Sequence, residues 1–300
     1  MLSINIPVYN IVVTELIQQI TEQAQKLGIL YEINVYDDGS VSEVKSENKI
    51  ISDIQNVRYV ELEINLGRAA IRNKMGLESK FEHLLFIDAD SLLIKDNYLE
   101  CFIQNIKLNR ILCGGTTYSA QKPKESEKLL RWFYGQKREA VTAEIRNAQK
   151  GFIITSNNFL IEKQVFEKNH FRENLSDYGH EDTLLGYDLF KNDFEIFHID
   201  NPVKHTGLED SQLFLDKTKT AVKNLEFIAE EILGGENDFI NQVNLLNRYF
   251  RIVRFIPKAV LAWFFRLCKK SMERNLTGSN PRLFLFDLFK LGYLASLKNR

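Results

Sequence analysis

At 300 residues the chain is long enough to bury a sizeable core, either as one large domain or as a domain with an appendage. Its 44% hydrophobic and 26% charged residues exclude gross disorder. The three cysteines, Cys101, Cys113 and Cys268, are odd in number and not in CxxC spacing, which argues against a disulfide framework or a zinc site and fits a reducing compartment. The net charge of −1 hides a split. Residues 248–300 hold 12 Lys/Arg against 2 Asp/Glu, and the rest holds 27 against 38.

In chain order, an apolar run over residues 2–8 reads as a first strand. No basic stretch or long apolar segment precedes it, so no secretory signal is expected. Residues 12–27 form an amphipathic helix closed by Gly28, and residues 31–36 a second strand that ends on Asp37-Asp38-Gly39-Ser40. A third strand is predicted over 57–62. The turn Asn65-Leu66-Gly67 and a helix over 68–80 follow, then a strand over 83–87 that runs into Asp88-Ala89-Asp90. A helix over 97–109 and a strand over 111–118, broken at Gly114-Gly115, complete an alternation that predicts an α/β sandwich with a mostly parallel sheet.

Residues 122–150 are polar and helical in character. Ser156-Asn157-Asn158 reads as a loop between strand-like runs, residues 182–190 as a short helix opening on Glu181-Asp182, and 195–199 as a strand. Pro202-Val203-Lys204-His205 leads into a loop, and from residue 211 the pattern is helical almost to the end.

The acidic motifs at the strand ends carry the functional signal. In open parallel sheets ligands bind beyond the carboxyl ends of the strands, so carboxylates placed there face a ligand rather than the core. Asp88 and Asp90, one residue apart, offer hard oxygens to Mg²⁺ or Mn²⁺, the ions a nucleotide diphosphate requires. The same residue types also suit plain structural duty. Asp-Asp-Gly-Ser is good turn chemistry, Asn10 is a good helix N-cap, and Glu181-Asp182 suits a helix N-terminus by the macrodipole alone. His83, His170 and His198 read as structural.

Taken in order, Ile6-Pro7-Val8-Tyr9-Asn10, Asp37-Asp38-Gly39-Ser40, Asn65-Leu66-Gly67 with Arg72-Asn73, Asp88-Ala89-Asp90 and Glu181-Asp182 resemble the motif series of the GT-A-fold glycosyltransferases of family 2. The resemblance spans residues 2–208. It implies a Rossmann-like nucleotide-diphospho-sugar transferase sandwich, with a catalytic domain over 1–210 and a helical extension over 211–300. Within the catalytic domain, 1–118 would be the nucleotide-sugar half and 119–210 the acceptor half.

Carried onto this sequence, the family pattern implies that Pro7 and Tyr9 flank the base and that Asp37 or Asp38 bonds its edge. Arg68 or Arg72 lies near the nucleotide. Asp88 faces the ribose or the metal, and Ala89 and Asn158 count among the donor-contacting positions. Asp90 ligates Mn²⁺ or Mg²⁺ at the diphosphate, and His205 completes the metal site. Asp182 is the expected general base, with Glu181 beside it.

The activity implied is inverting transfer of a sugar from a nucleotide-diphospho donor, UDP-linked by resemblance, to a glycan or lipid-linked hydroxyl. The run Gly179-His180-Glu181-Asp182 resembles that of galactosyl- and N-acetylgalactosaminyl-transferring relatives. The Gln-x-x-Arg-Trp motif and membrane spans of processive synthases are missing. A sugar-1-phosphate nucleotidyltransferase would want glycines and cations after the first strand, and residues 7–14 hold neither. A non-catalytic scaffold on the same fold is the other alternative.

The tail from 248 mixes Arg and Lys with Tyr249, Phe250, Phe255, Trp263, Phe264 and Phe265, and its longest apolar run is far short of the ~20 residues that a span requires. It reads as an interfacial anchor on an anionic membrane, at the cytoplasmic face of the cell membrane, with packing on the catalytic domain or in a homo-oligomer as the alternative. Nucleic acid is not an expected partner, because the rest of the chain is acidic. A chain ended near Asn247 is expected to stay soluble.

Overall fold

The computed structural model describes residues 1–149, 151–175 and 178–297, so Lys150 of the polar segment and the last three residues of the basic tail lie outside the described residues. In chain order the elements are β1 (Leu2–Val8), α1 (Thr14–Leu27), β2 (Tyr31–Asp37), α2 (Ser42–Asn48), β3 (Val57–Glu61), α3 (Arg68–Glu78), β4 (His83–Ile87), β5 (Ser91–Leu93) and α4 (Tyr98–Asn105). There follow β6 (Arg110–Cys113), β7 (Thr116–Thr117), α5 (Leu129–Tyr134), α6 (Ala143–Ala148), β8 (Asn158–Glu162), α7 (Lys163–Lys168), α8 (Glu181–Lys191), β9 (Glu195–His198) and β10 (Val203–His205). The rest is helical: α9 (Ser211–Phe227), α10 (Asn237–Gln242), α11 (Asn244–Val253), α12 (Lys258–Leu276) and α13 (Leu283–Leu297).

Two compact units divide the chain. The first comprises residues 1–119, 139–176 and 181–207, and the second residues 120–138, 177–180 and 208–300. The first holds a seven-stranded sheet in the order β3-β2-β1-β4-β8-β6-β9 and a three-stranded sheet β5-β10-β7. β1 pairs in parallel with β2 and β4, and β2 with β3. β8 runs antiparallel to both β4 and β6.

Helices cover both faces of this sheet, which is why its strands read as continuous apolar runs rather than alternating ones. On β4 the residues divide between the faces. Leu85 and Ile87 join Leu16, Ile17 and Ile20 of α1, while Leu84 and Phe86 join Phe159, Phe166 and Leu185. Phe86 stacks on Phe159 with ring centroids 4.9 Å apart. Pro7 is tolerated in β1 because β4 pairs only with Leu2–Asn5, so at Pro7 no β4 carbonyl waits for the missing N–H.

Several expectations are corrected. α1 starts at Thr14 without a side-chain cap, and Asn10 is not its N-cap. Asn10 sits in the left-handed region (φ 56°), where its Oδ1 accepts the Val41 N–H and its own N–H reaches Ser40 Oγ. Asn10 therefore ties the end of β1 to the loop after β2. Residues 203–205, which lead into the loop, are themselves a short strand, β10, and the polar segment from 122 is helical as expected, continuously over 126–139 around α5 and again in α6.

In the second unit Leu130 of α5 and Leu215 of α9 share a core with Phe265, Met272 and Leu276 of α12 and Phe286 and Phe289 of α13. Among the described residues no helix is long and apolar enough to cross a membrane.

Candidate active site

At the carboxyl end of β2 the two adjacent carboxylates are already engaged by the protein. Asp37 Oδ1 accepts the Ser40 N–H at 2.7 Å and Oδ2 accepts the Tyr59 hydroxyl at 3.2 Å, with Asp37 wholly buried. This closes the Asp-Gly-Ser turn and corrects Asp37 as a candidate for the base edge. Asp38 accepts the backbone N–H groups of Leu66 and Gly67 at 2.7 and 3.1 Å, and its carbonyl accepts Asn65 Nδ2. Burial raises the Asp38 carboxyl, and those two N–H groups oppose the rise. Gly39 (φ 80°) is required here, since a Cβ would stand 3.0 Å from the Asn65 nitrogen. The second and third motifs thus form one folded loop, and Tyr9, just after β1, is 53% exposed while Pro7 is half-buried.

β4 ends at Ile87. Asp88 follows, bonded to Arg72 Nη2 at 2.5 Å, and Ala89 is buried in the core on the α1 side of the sheet. Asp90 comes next, with its Oδ1 3.3 Å from His205 Nδ1. Strand pairing brings them together, because β10 runs antiparallel to β5 with His205 opposite Ser91. Residues 206–207 then wrap Asp90. Both the N–H and the hydroxyl of Thr206 donate to its carbonyl, and a Cβ on Gly207 would lie 2.6 Å from Asp90 Oδ2. Tyr118 packs edge-on against the His205 ring at 5.3 Å and donates its hydroxyl to Glu139. Sequence reasoning singles out none of Thr206, Gly207 and Tyr118 as a site residue, although Gly207 stands only two residues beyond the proposed metal histidine.

A divalent ion fits this pair. Asp90 Oδ1 and His205 Nδ1, a hard oxygen and an imidazole nitrogen, face each other at 3.3 Å and could share one ion, while Nε2 on the other side of the ring is buried without a hydrogen-bond partner. No set of three His, Cys, Asp or Glu side chains placed to hold a metal occurs among the described residues. Asp88, expected to face the ribose or the metal, bonds Arg72 through Oδ1.

Arg72 is itself buried. Its Nη1 bonds the Arg68 carbonyl, Nη2 holds Asp88, and the guanidinium lies 5.9 Å from the Phe171 ring. Arg72, expected with Arg68 to lie near the nucleotide, is thus held among Arg68, Asp88 and Phe171. Arg68 at the start of α3 is about half exposed and pairs with Glu181 at 3.7 Å. Asn73 anchors the segment that precedes α8, exchanging bonds with the Phe171 backbone and reaching Glu173.

α8 opens on Glu181 and Asp182, after His180 in the left-handed region (φ 70°). Burial and the adjacent Glu181 carboxylate push the Asp182 carboxyl up to about 6, against the opposing pull of the Thr183 N–H, Arg72 and Arg68. A carboxyl poised there is suited to take a proton near neutral pH. Asn158 is the remaining correction. It is fully buried as the first residue of β8, accepts the Tyr98 hydroxyl, and donates to the carbonyls of Gly115 and Asn201. It holds β6, β8 and α4 together and has no free face for a donor.

No curated protein sequence matches the chain. Three similar solved structures are the mannosyltransferase PcManGT from Pyrobaculum calidifontis in complex with GDP-Man and Mn²⁺, at 14% identity and a TM-score of 0.57, covering 100% of this chain and 87% of that one, S. aureus TarS 1–349 in complex with UDP, at 16% and 0.51, covering 100% and 91%, and the same protein in complex with UDP-GlcNAc, at 15% and 0.50, covering 100% and 91%. At these identities the likeness concerns the fold, which is the GT-A fold. The family model for glycosyl transferase family 2 matches residues 3–169, over half of the chain, and the chain accordingly belongs to that family of glycosyltransferases.

Proposed function

We propose that this family 2 glycosyltransferase is metal-dependent and inverting, and that it moves a sugar of galactose or N-acetylgalactosamine type from a UDP-linked donor to a hydroxyl of a glycan or lipid-linked acceptor. The observation that carries this reading is the charge relation from strand end to helix start. Arg72 holds Asp88 after β4, and the same guanidinium bears on Asp182 at the head of α8.

In this reading Tyr9 stacks on the base, and the loop clamped by Asp38 shapes the pocket floor. Asp90 and His205 would hold Mn²⁺ or Mg²⁺, which when bound supplies Lewis-acid stabilisation to a leaving diphosphate. Asp182 accepts the proton of the acceptor hydroxyl as that oxygen attacks the anomeric carbon from the face opposite the leaving group. One displacement inverts the centre and needs no covalent intermediate. Glu181, paired with Arg68, orients the start of α8.

The UDP, UDP-GlcNAc and GDP-Man/Mn²⁺ complexes of the structural neighbours support a nucleotide-sugar donor and a divalent ion. The preference for a galactose-type sugar rests on the Gly-His-Glu-Asp run over 179–182. The basic, aromatic tail supports a peripheral position on the inner face of the cell membrane, where a lipid-linked acceptor would be met. Calorimetry of UDP binding with and without Mn²⁺ tests the site. Asp90→Ala is expected to abolish the Mn²⁺-dependent gain in affinity with the melting curve unchanged, and an unaltered Mn²⁺ response would take the metal away from Asp90 and His205.

A further inference from the structure

α13 buries Phe286, Phe289, Leu294 and Ala295, the first two inside the core shared with α5, α9 and α12, and leaves Phe284 and Leu288 exposed. α12 buries only Ala262, Phe265, Met272 and Leu276. Its opposite side presents Val260, Trp263, Phe264 and Leu267 to solvent, with Trp263 59% and Leu267 62% exposed, and Phe255 in the turn before it is 87% exposed. Ile256, Val260, Trp263 and Leu267 recur at helical spacing and form one stripe. Phe264 and Leu288 carry the apolar surface inward, because they also line a cavity of about 90 Å³ with Ile252, Leu261, Phe265 and Leu291.

Cations frame this stripe. Arg251 and Arg254 precede it, Arg266 flanks it, and Lys270 and Arg274 follow at seven-residue steps from Trp263 and Leu267. Only two carboxylates occur in residues 248–300, and both are committed to other bases: Glu273 to Lys219 and Lys269, and Asp287 to Arg138 and Lys290. An apolar stripe ringed by cations is complementary to an anionic lipid interface, with ring and aliphatic carbon below the headgroups and the bases among them. A two-fold contact between copies would set these cations against their own images.

We infer that the stripe of Ile256, Val260, Trp263, Phe264 and Leu267 on α12, with Phe255, penetrates the acyl region of an anionic bilayer. This rests on the membrane reading above and adds the face that enters and its depth.

The chain has two tryptophans, so Trp132→Phe leaves Trp263 as sole reporter. Vesicles of phosphatidylglycerol and phosphatidylcholine, plain or with acyl chains brominated near the headgroup, supply the probe. Trp263 emission is expected to shift to the blue on plain vesicles and to be quenched by the brominated ones. In the otherwise native chain, Trp263→Ser with Leu267→Ser is expected to lower vesicle partitioning on the order of a hundredfold with an unchanged melting curve. Sedimentation with vesicles without quenching overturns the inference and leaves membrane binding standing, by another surface. Failure to sediment at low salt removes both. Trp263 emission already blue-shifted in a vesicle-free dimer overturns the inference in favour of an interface between copies.

Discussion

Asp182 is where a single residue decides the chemistry. Its carboxyl titrates near 6 when folded, against an ordinary value of 3.8, because burial and Glu181 disfavour the charge. Two consequences share one sign. The folded chain binds more protons than the unfolded chain between about pH 4 and 6, so this group's contribution to stability falls as pH rises through that window. A base must be deprotonated to act, so kcat/KM is expected to rise with pH on a limb near 6. Asp182→Asn should remove that limb, lower transfer by about 10²–10⁴-fold, and raise the melting temperature at pH 8 while sparing UDP affinity. Retained transfer activity would take the base role from Asp182. A melting temperature that does not rise would instead show that the buried charge costs the fold nothing.

At the scale of elements, the strand-end motifs and the alternation around them are legible in the sequence, because a carboxylate directly after a continuous apolar run sits where a sheet meets its ligand. What is not legible comes from partners distant in sequence. Periodicity carries no strand direction, so the strand-like run that becomes β8 gives no sign that it lies antiparallel between β4 and β6. β10 is three residues long and exists through β5 and β7. Asn158 reads as a loop residue because its partners, Tyr98, Gly115 and Asn201, lie more than 40 positions away. Arg72 reads as a ligand contact because the carboxylate that buries it is 16 residues on. The stretch from β10 to Gly207 makes a prediction of its own. In Gly207→Ala the new methyl would meet both Asp90 Oδ2 and, at 3.1 Å, Asp90 Cβ, so the carboxylate has to leave its present position opposite His205 Nδ1. Residues that orient metal ligands typically contribute about 10–100-fold in metal affinity. The Mn²⁺ concentration needed for half-maximal UDP binding should rise by about that factor. An unchanged Mn²⁺ titration would show that Asp90 is not held by this turn.

For the whole molecule, the charge split along the chain does not coincide with the division into units. The second unit draws on 120–138 and 177–180 as well as on everything from 208 onward, so the basic tail is part of a core and not a detachable strip. This reverses the expectation that a chain ended near Asn247 stays soluble. Such a truncation removes Phe265, Met272, Leu276, Phe286 and Phe289 and uncovers Leu130 and Leu215, with Tyr134 and Phe214 beside them. Burial of a large apolar side chain contributes about 1.5–3 kcal/mol, so five amount to about 8–15 kcal/mol, comparable to the entire stability of a typical domain. Among the described residues, the cores of the first unit, by contrast, draw on none beyond Val203. The truncated chain is therefore expected to bind a hydrophobic dye, to aggregate at micromolar concentration, and to lose one calorimetric transition while the first unit's transition remains. If it stays monomeric, dye-free and as cooperative on melting as the full chain, α12 and α13 contribute little to the core. The exposed stripe on α12 would then stand without a scaffold behind it.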